Sequence, residues 1–214
     1  MTTTRWPGAE QYIPKHATIP LLSQALRSCQ GCDLYLPATQ AVLGEGPRRA
    51  HLVLVGEQPG NEEDLTGRPF VVPAGRLLDR ALAEAGIPRT DVYVTNAVKH
   101  FKFEERGKRR IHKKPSLGEV RACHPWLEAE LAIIHPRVIG CLGATAAQSI
   151  LGNQFRITKD RGRPIEVPST GIVVATVHPS AILRAPDAER RQLEYRGFVK
   201  DLQTIRTLLL EGGL

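Results

Sequence analysis

Apolar residues cluster in four short runs, and each run is followed by polar residues. The runs cover residues 52–55, 91–98, 137–142 and 172–177. They are too short for core helices and are rich in Val and Ile, so they predict buried strands. Between the first two runs, residues 74–86 repeat apolar side chains at helical spacing and end at Gly86, which predicts a helix. Because a strand, a helix and a strand in that order form a right-handed parallel crossover, the sequence predicts an α/β sheet of four mainly parallel strands.

Capping signals predict further helices. Thr18 precedes a helix that ends near Cys29, and a capping box that starts at Ser116 opens a helix carrying Cys123. A short helix is expected over 145–151 and an amphipathic helix over 188–210. Residues 99–115, and the stretch from 152 through 163, lack such periodicity and are predicted to be irregular. Residues 1–17 contain two prolines and are predicted to form an irregular arm.

The length and composition fit one domain. The chain has 214 residues, 42% of them hydrophobic, which is enough for one α/β domain over residues 1–214 but not for a second. No apolar stretch reaches the roughly 18 residues of a membrane-spanning helix. The first residues also lack the apolar core of a signal peptide. We therefore expect a monomeric, cytoplasmic protein with no membrane partner.

The charge is positive and unevenly distributed. The formal net charge is +7, and basic residues concentrate between positions 99 and 114. They are Lys99, Lys102, Arg106, Lys108, Arg109, Arg110, Lys113 and Lys114. Such a concentration indicates a polyanionic partner such as a nucleic acid. A solvated loop without a partner has the same composition, so the charge alone does not decide between the two.

The four cysteines are Cys29, Cys32, Cys123 and Cys141. A Cys-x-x-Cys pair occurs in redox sites, zinc sites and iron–sulfur sites. Two further cysteines, in a predicted helix and a predicted strand, favour one site with four cysteine ligands, because a cytoplasmic setting disfavours disulfides. Four separate buried thiols are the alternative. The spacing by itself does not distinguish zinc from a 4Fe-4S cluster.

Polar residues follow the predicted strands, where open α/β sheets bind their ligands. They are Glu57 and Gln58 after the first strand, Asn96 near the end of the second, Thr145 after the third and His178 after the fourth. With His112 in the basic loop, these groups indicate hydrolysis or group transfer on a nucleic acid. A metal-dependent phosphodiesterase would need several carboxylates, and only residues 62–64 offer them.

Several of these segments together resemble the family 4 branch of the uracil-DNA glycosylase superfamily. The segments are Gly56-Glu-Gln-Pro-Gly60, Glu63-Asp64, Gly67-Arg-Pro-Phe70, Ala74-Gly75, Thr95-Asn96 and His178-Pro-Ser180, with the cysteine spacing. The insert Lys108-Arg-Arg-Ile-His112 and Gln58 are similar to the X-type members (UdgX), which bind uracil-containing DNA covalently. The resemblance covers residues 20–210 and implies a three-layer α/β/α fold with a 4Fe-4S cluster on the four cysteines.

The resemblance implies how the substrate is held. Phe70 would stack on a uracil flipped out of DNA, and Asn96 would read the edge of that base. His178, with backbone N–H groups near Gln58, would receive the negative charge that develops on uracil O2. Taken singly, Phe70 is more often a core residue, Asn96 a turn residue and His178 the end of a strand. The implied substrate-binding residues are Phe70, Asn96, Gly56, Gln58, Arg110 and Ser180.

The resemblance also implies a nucleophile. In ordinary family 4 enzymes, a water positioned by the carboxylate that corresponds to Glu57 captures the sugar after uracil leaves. Here His112 would attack C1′ instead, so the protein would stay on the DNA. Glu57 would orient or deprotonate His112, with Gln58 and Arg110 as supporting contacts. The implied DNA-binding residues are Lys108, Arg109, Arg110 and Lys113.

The sequence therefore predicts a single-turnover uracil-DNA glycosylase of DNA repair that acts on uracil in single- and double-stranded DNA. Two alternatives stay open. One is a conventional family 4 enzyme with turnover, and the other is a non-catalytic iron–sulfur module that binds DNA. Without the match to Lys108-Arg-Arg-Ile-His112, His112 would be interpreted as an exposed histidine that contacts DNA.

Overall fold

A computed structural model describes residues 6–168 and 170–211. In chain order the strands are β1 (Leu52–Gly56), β2 (Val92–Asn96), β3 (Phe103–Arg106), β4 (Arg109–His112), β5 (Val138–Leu142), β6 (Pro164–Val167) and β7 (Gly171–Thr176). The helices are α1 (Ile19–Leu26), α2 (Asn61–Thr66), α3 (Pro73–Ala85), α4 (Leu117–Ile134), α5 (Ala144–Leu151), α6 (Ile157–Asp160), α7 (Pro179–Leu183) and α8 (Ala188–Glu211). Among these residues, no helix is both long and apolar enough to cross a bilayer.

The four predicted strands form the centre of the sheet. β1 pairs in parallel with β2 and with β5, and β5 pairs in parallel with β7. The carboxyl ends of these strands therefore share one edge, as predicted. Gly56 at the end of β1 is opposite Asn96 at the end of β2, so Asn96 and the residues that follow Gly56 are neighbours.

The predicted number of strands was wrong, because the central sheet of the described chain has five strands in the order β2-β1-β5-β7-β6. The additional strand, β6, pairs antiparallel with β7 at the edge of the sheet. It lies just beyond the segment predicted to be irregular. β6 begins at Pro164. The side chains of β6 are mostly accessible, so the strand lacks a buried apolar run. Proline is tolerated at the first residue of an edge strand, but in a sequence it argues against a strand, so β6 carried no strand signal.

The basic segment 99–115 is also more ordered than predicted. It contains a separate antiparallel hairpin, in which β3 pairs with β4 and Phe103 is opposite His112. Gly107 makes the turn with a φ of 59°, in the left-handed region. The side chains of β3 and β4 are largely charged and accessible. The hairpin therefore has no alternation of apolar and polar residues, which is the usual sequence signal for a strand.

Apolar side chains fill both faces of the central sheet. Leu52 and Leu54 of β1 pack in the cluster that includes α3 and α8, whereas Val53 and Val55 pack in the cluster that includes α4 and α5. Alternate residues of a strand point to opposite faces, so the chain forms three layers, α/β/α. A third cluster joins α1 and the segment after it to α4 through Leu22, Leu26 and Trp126.

The predicted helix boundaries are close to those observed. Thr18 caps α1, Ser116 and Glu119 form the capping box of α4, and Gly86 ends α3 with a φ of 73°. Residues 6–17 contain one short 3-10 turn, Glu10–Tyr12, and residues 1–5 of the predicted arm lie outside the described residues. The acidic residues 62–64 form the first turn of α2.

Candidate active site

A cavity of about 440 Å³ opens where the parallel strands end. We call it the strand-end cavity. Its lining includes residues from the ends of β1, β2, β5 and β7 and from the basic segment, but none of the four cysteines. Its polar and aromatic lining includes Glu57, Gln58, Phe70, Asn96, His112, Thr145, His178 and Ser180. The hairpin contributes His112, so the basic segment and the strand ends form one site.

Glu57 contacts two side chains from different parts of the chain. Its Oε1 lies 3.3 Å from Nε2 of His112, and its other oxygen accepts a hydrogen bond from the Thr145 hydroxyl. Burial raises the pKa of Glu57, but the hydrogen bonds from His112 and Thr145 lower it. The net pKa lies below the usual carboxyl value, so Glu57 is a carboxylate at neutral pH.

His178 is held as a neutral imidazole. Its Nδ1 accepts the backbone N–H of Ser180 at 3.1 Å and lies 2.7 Å from the Ser180 hydroxyl. Burial lowers the pKa of His178 to about 4. Because Nδ1 accepts a hydrogen bond, the ring hydrogen of the neutral form is on Nε2. His178 therefore offers one N–H donor from a neutral ring.

Asn96, Gly56 and Phe70 are packed tightly against one another. Asn96 is 2% exposed, and a Cβ at position 56 would collide with its Oδ1 and lie 2.9 Å from Cζ of Phe70. Phe70 has a φ of 57°, which is unusual for a residue other than glycine. Its ring centroid lies 6.2 Å from that of His178, and the ring planes differ by 31°. A planar ligand beside Phe70 would thus meet an amide and an imidazole N–H.

Gln58 fastens both ends of the hairpin. Its Nε2 donates to the carbonyls of Lys102, at 3.1 Å, and Lys113, at 3.0 Å. Its Oε1 accepts the backbone N–H of Lys102 at 3.1 Å. The side-chain amide is thus engaged by the backbone on either side of β3 and β4. Its predicted catalytic role stays a prediction, whereas its observed partners give it a part in placing His112.

Arg110 fastens the hairpin to α2. Its guanidinium donates to Oδ2 of the fully buried Asp64 at 2.6 Å and to Oδ1 of Asn61 at 2.7 Å. It also lies 4.9 Å above the ring centroid of Phe103. The carboxylate of Asp64 is therefore occupied by Arg110 and by the backbone N–H of Thr39. The observed partners of Arg110 are protein groups, and the predicted contact with DNA or substrate stays a prediction.

The other predicted DNA-binding residues lie on the accessible side of the hairpin. Lys108 and Arg109 are exposed next to the turn at Gly107. Lys113 is also exposed, and its Nζ lies 2.6 Å from Glu104 on the facing strand. The tip of the hairpin thus presents two cations to solvent, on the same hairpin whose other end brings His112 to the strand-end cavity.

A buried charge network behind Asn96 was not predicted. Lys99 is fully buried, and its Nζ donates to Glu130, to the Thr95 hydroxyl at 2.7 Å and to the Asn96 carbonyl at 2.7 Å. Glu130 also accepts from the Tyr93 hydroxyl at 2.8 Å. In the sequence, Lys99 was indistinguishable from the other cations of its segment. Its only distinction is that it directly follows an apolar strand.

The four cysteines do not lie in one group. Cys29, Cys32 and Cys123 share the cluster with Trp126, whose indole N–H lies 3.2 Å from Sγ of Cys29. Cys141 lies on β5 in the cluster of the sheet, beside Val55 and Ala175. Among the described residues, no three His, Cys, Asp or Glu side chains are arranged to hold a metal ion. Cys29, Cys32 and Cys123 therefore share one hydrophobic cluster, and Cys141 lies in another.

His100 is another buried residue of this region. It is 6% exposed, and burial lowers its pKa to about 4. The preceding residue, Lys99, donates its backbone N–H to Sγ of Cys123 at 3.2 Å. The burial of His100 was not predicted, because His100 lies within a run of basic residues whose composition indicates a solvated loop.

Comparisons with known proteins were consistent with one another. Residues 43–203 match the family model described as the uracil DNA glycosylase superfamily. The chain is 39% identical over 194 residues to the type-4 uracil-DNA glycosylase of Thermotoga maritima, covering 90% of this chain and 95% of that protein. It is 41% identical over 169 residues to the type-4 enzyme of Archaeoglobus fulgidus, covering 75% and 81%. The type-5 uracil-DNA glycosylase of Thermus thermophilus is 34% identical over 159 residues, covering 65% and 68%.

Proposed function

The chain belongs to the uracil-DNA glycosylase superfamily, and we propose that it excises uracil from DNA and then stays covalently attached to the abasic sugar through His112. The observation that carries this proposal is the 3.3 Å contact between Nε2 of His112 and Oε1 of Glu57. The contact brings an imidazole to the carboxylate that would otherwise position a water. The proposal makes the protein a DNA repair factor of the X type (UdgX).

The base is recognised by shape and by hydrogen bonds. A uridine flipped out of the stack enters the strand-end cavity, and its base stacks on Phe70. The Asn96 amide supplies one acceptor and one donor, which match N3–H and O4 of uracil. Cytosine offers the opposite pattern at these positions, so it would leave buried polar groups unpaired. Gly56 gives Asn96 and Phe70 the room to approach one another.

Departure of the base is assisted by His178. As the C1′–N1 bond breaks, its electron pair moves onto uracil and negative charge develops on O2. The neutral Nε2–H of His178 donates to this oxygen without itself giving up a proton. Backbone N–H groups near Gln58 add to this stabilisation. The sugar left behind has oxocarbenium character at C1′.

His112 then captures the sugar. When Nε2–H donates to Glu57, the lone pair of the neutral imidazole is on the other ring nitrogen, and this nitrogen forms a bond to C1′. The Nε2 proton moves to the Glu57 carboxylate, so the product is a neutral alkylated imidazole. Breaking the new bond would regenerate a sugar cation at C1′, and the uracil that could recombine with it has already left. The protein therefore stays on the DNA.

The hairpin contacts support this mechanism, because the nucleophile must be held beside C1′. Gln58 joins the two ends of the hairpin, and Arg110 joins its second strand to α2. The exposed cations Lys108, Arg109 and Lys113 would bind phosphates without reading the sequence, which suits both single- and double-stranded DNA.

Conventional turnover is the second candidate function, and the type-4 relatives favour it. Glu57 would then position water, and His112 would only contact the DNA. The two functions predict different products. A uracil-containing oligonucleotide mixed with the protein should give a denaturant-resistant complex if His112 is the nucleophile, and free abasic DNA if water is.

The decisive test is the His112→Ser variant on a denaturing gel, with His16→Ser as a control at an exposed histidine. The wild type and the control should form the complex, whereas His112→Ser should release uracil with multiple turnovers. A complex that persists in His112→Ser, crosslinked elsewhere, would contradict the mechanism. A variant that neither crosslinks nor releases uracil would mean that His112 is needed to break the glycosidic bond. Wild type that binds DNA without releasing uracil would support the non-catalytic alternative.

We also propose a structural 4Fe-4S cluster on Cys29, Cys32 and Cys123. The fourth ligand is either Cys141, as the sequence predicts, or His100, which is buried next to the residue that contacts Cys123. Histidine replaces cysteine at one iron of Rieske clusters, so imidazole is a suitable ligand. The cluster would hold the segment after α1 against α4, and no step above passes through it. The visible absorption and iron content of Cys123→Ala, Cys141→Ala and His100→Ala proteins would identify the fourth ligand.

A further inference from the structure

A second cavity adjoins the strand-end cavity. It has a volume of about 320 Å³ and lies between α4 and α5, so we call it the α4–α5 cavity. Lys114 and Thr145 line both cavities. A ligand could therefore extend from one into the other along the protein surface. The mechanism proposed above uses none of the residues that line only the α4–α5 cavity.

One face of α4 forms a wall of this cavity. Leu117, Val120, Arg121 and His124 are spaced three or four residues apart, so they lie on the same side of the helix. Leu117 is 52% exposed although it is apolar, and Arg121 is exposed as well. Pro115 and Val120 line the cavity but are buried, so Leu117 supplies most of its exposed apolar surface.

α5 and the residues after it form the opposite wall. Gln148, Ser149 and Asn153 supply amide and hydroxyl groups there. The cavity thus combines an apolar floor, two cations and neutral polar groups. Two carboxylates contact its lining: Glu57 accepts a hydrogen bond from Thr145, and Oε1 of Glu128 lies 3.4 Å from Nε2 of His124. An anion should therefore bind on the side of Lys114 and Arg121, away from His124.

We propose that the α4–α5 cavity binds the nucleotide next to the flipped uridine in the same DNA strand. This proposal rests on the proposed function. Flipping a uridine removes a stacking partner from its neighbour, and the exposed apolar side chain of Leu117 replaces that contact. Lys114 and Arg121 carry the charge needed for the connecting phosphate. The neutral polar groups should tolerate any base, because the Gln148 amide donates to the Phe155 carbonyl and the Ser149 hydroxyl to the Ala146 carbonyl.

The proposal predicts which DNA is bound best. An unstacked neighbour is available without cost in single-stranded DNA, whereas in a duplex it is still paired with the opposite strand. The cavity should therefore strengthen binding of single-stranded DNA more than of duplex DNA. The stronger binding should come from the nucleotide on one side of the uridine only, because the two cavities adjoin at one place, where Lys114 and Thr145 line both.

Two variants test the cavity without touching the catalytic groups. Arg121→Ala removes a cation, and Leu117→Glu places a negative charge in the groove. Leu117 is the first residue of α4, where an acidic side chain favours the helix, so this variant should fold normally. Arg196→Ala on α8 is the matched control, because it is an exposed arginine on the opposite layer of the fold.

The experiment measures single-turnover uracil release from oligonucleotides with one uridine, lengthened by one nucleotide at a time on either side. In the wild type, the half-saturating DNA concentration should fall roughly tenfold when the first neighbour is added on one side. Both variants should lose that gain and keep the maximal rate, and Arg121→Ala should lower the salt dependence by about one phosphate contact. Arg196→Ala should behave as wild type.

The outcomes separate this inference from the proposed function. If the wild type releases no uracil from any oligonucleotide, the proposed function fails. If it releases uracil but Arg121→Ala and Leu117→Glu keep the full gain with length, the α4–α5 cavity does not bind the neighbouring nucleotide. A loss that is equal for duplex and single-stranded DNA, with no dependence on length, would reduce Arg121 to a general phosphate contact and overturn the proposal.

Discussion

Nε2 of His112 lies 3.3 Å from Oε1 of Glu57, although one residue ends the hairpin and the other follows the first strand of the central sheet. The carboxylate is therefore in direct contact with the residue that would compete with water in the proposed mechanism. One group would then serve either nucleophile: it would accept the proton of His112 or orient a water in its place. The relationship makes Glu57 the residue on which both candidate functions depend.

Replacing Glu57 with Gln should slow both outcomes. In the wild-type background the rate of adduct formation should fall at least about 100-fold, which is the usual contribution of a general base. In the His112→Ser background, uracil release should fall by a similar factor, since water loses the same carboxylate. Single-turnover rates from quenched-flow gels measure both. Glu166→Gln, at an exposed position on the edge strand, should have no effect. A Glu57→Gln protein that crosslinks at the wild-type rate would remove Glu57 from the mechanism.

Thr145 should set the acid limit of the reaction. Its hydroxyl donates to Glu57 and lowers the pKa of that carboxyl against the opposing effect of burial. Thr145→Val removes the hydroxyl and keeps the shape, so the pKa of Glu57 should rise. A base with a higher pKa is protonated earlier as acid is added. The rate of uracil release should therefore decline at a higher pH in Thr145→Val than in the wild type.

The control for this experiment is Thr145→Ser, which keeps the hydroxyl and should have the wild-type pH profile. The measurement is the single-turnover rate between pH 4 and pH 8 for the three proteins. Burial holds the pKa of His178 at about 4, so protonation of that ring contributes near the lower end of the range in all three proteins, and the difference between the valine and serine variants reports on Glu57. Identical acid limbs for the valine and serine variants would show that the hydroxyl does not tune Glu57.

The central sheet was predictable because its strands carry their own signal. β1, β2, β5 and β7 consist mainly of buried apolar residues, and such runs are typical of strands buried on both faces. Parallel pairing then placed Glu57, Asn96 and His178 at one edge, so most of the candidate site followed from the sequence. The edge strand β6 and the hairpin lack buried apolar faces. Their order comes from contacts with distant residues, such as Asp64 with Arg110, that local periodicity does not encode.

The partners of individual polar residues were less predictable for the same reason. Gln58 and Arg110 were expected to contact substrate or DNA, whereas their observed partners are protein groups. Lys99 was one cation among many in the sequence, but it lies fully buried against Glu130. Whether a polar side chain faces solvent or a partner depends on which segments pack beside it. A single sequence fixes the residue type and leaves that choice to the tertiary structure.

Removing the cation of the buried pair of Lys99 and Glu130 should cost more stability than breaking an exposed pair. Lys99→Met leaves the Glu130 carboxylate buried without its cation, so the free energy of unfolding should fall by about 3–5 kcal/mol. Arg80→Met breaks an exposed pair with Glu84 on α3 and should cost about 0.5 kcal/mol or less. Urea unfolding of the two variants and the wild type measures the difference. Equal midpoints for both variants would mean that the buried pair is replaced by packing at no cost.

Gln58 offers the sharpest distinction between holding the substrate and holding the nucleophile. Its amide joins the carbonyls of Lys102 and Lys113 at the two ends of the hairpin, so Gln58→Ala should loosen the hairpin. His112 would then spend less time beside C1′, and the adduct should form at least about tenfold more slowly. Glu57, Asn96 and His178 are not held by this amide, and the backbone N–H of residue 58 is retained. Uracil release should therefore persist, with water as the nucleophile in a larger fraction of events.

The measurement is the ratio of crosslinked to released product at complete reaction, which a change in DNA affinity does not alter. For Gln58→Ala this ratio should fall, and free abasic DNA should appear. Gln58→Glu is the informative second variant, because a carboxylate accepts the N–H of Lys102 but donates to neither carbonyl. It should lower the ratio as alanine does. If uracil release and adduct formation instead decline together at a constant ratio, the amide acts on the substrate before the two paths divide. Gln58 would then be a substrate contact, as the resemblance implied, and the position of His112 would depend on Arg110 and its contacts with α2 alone.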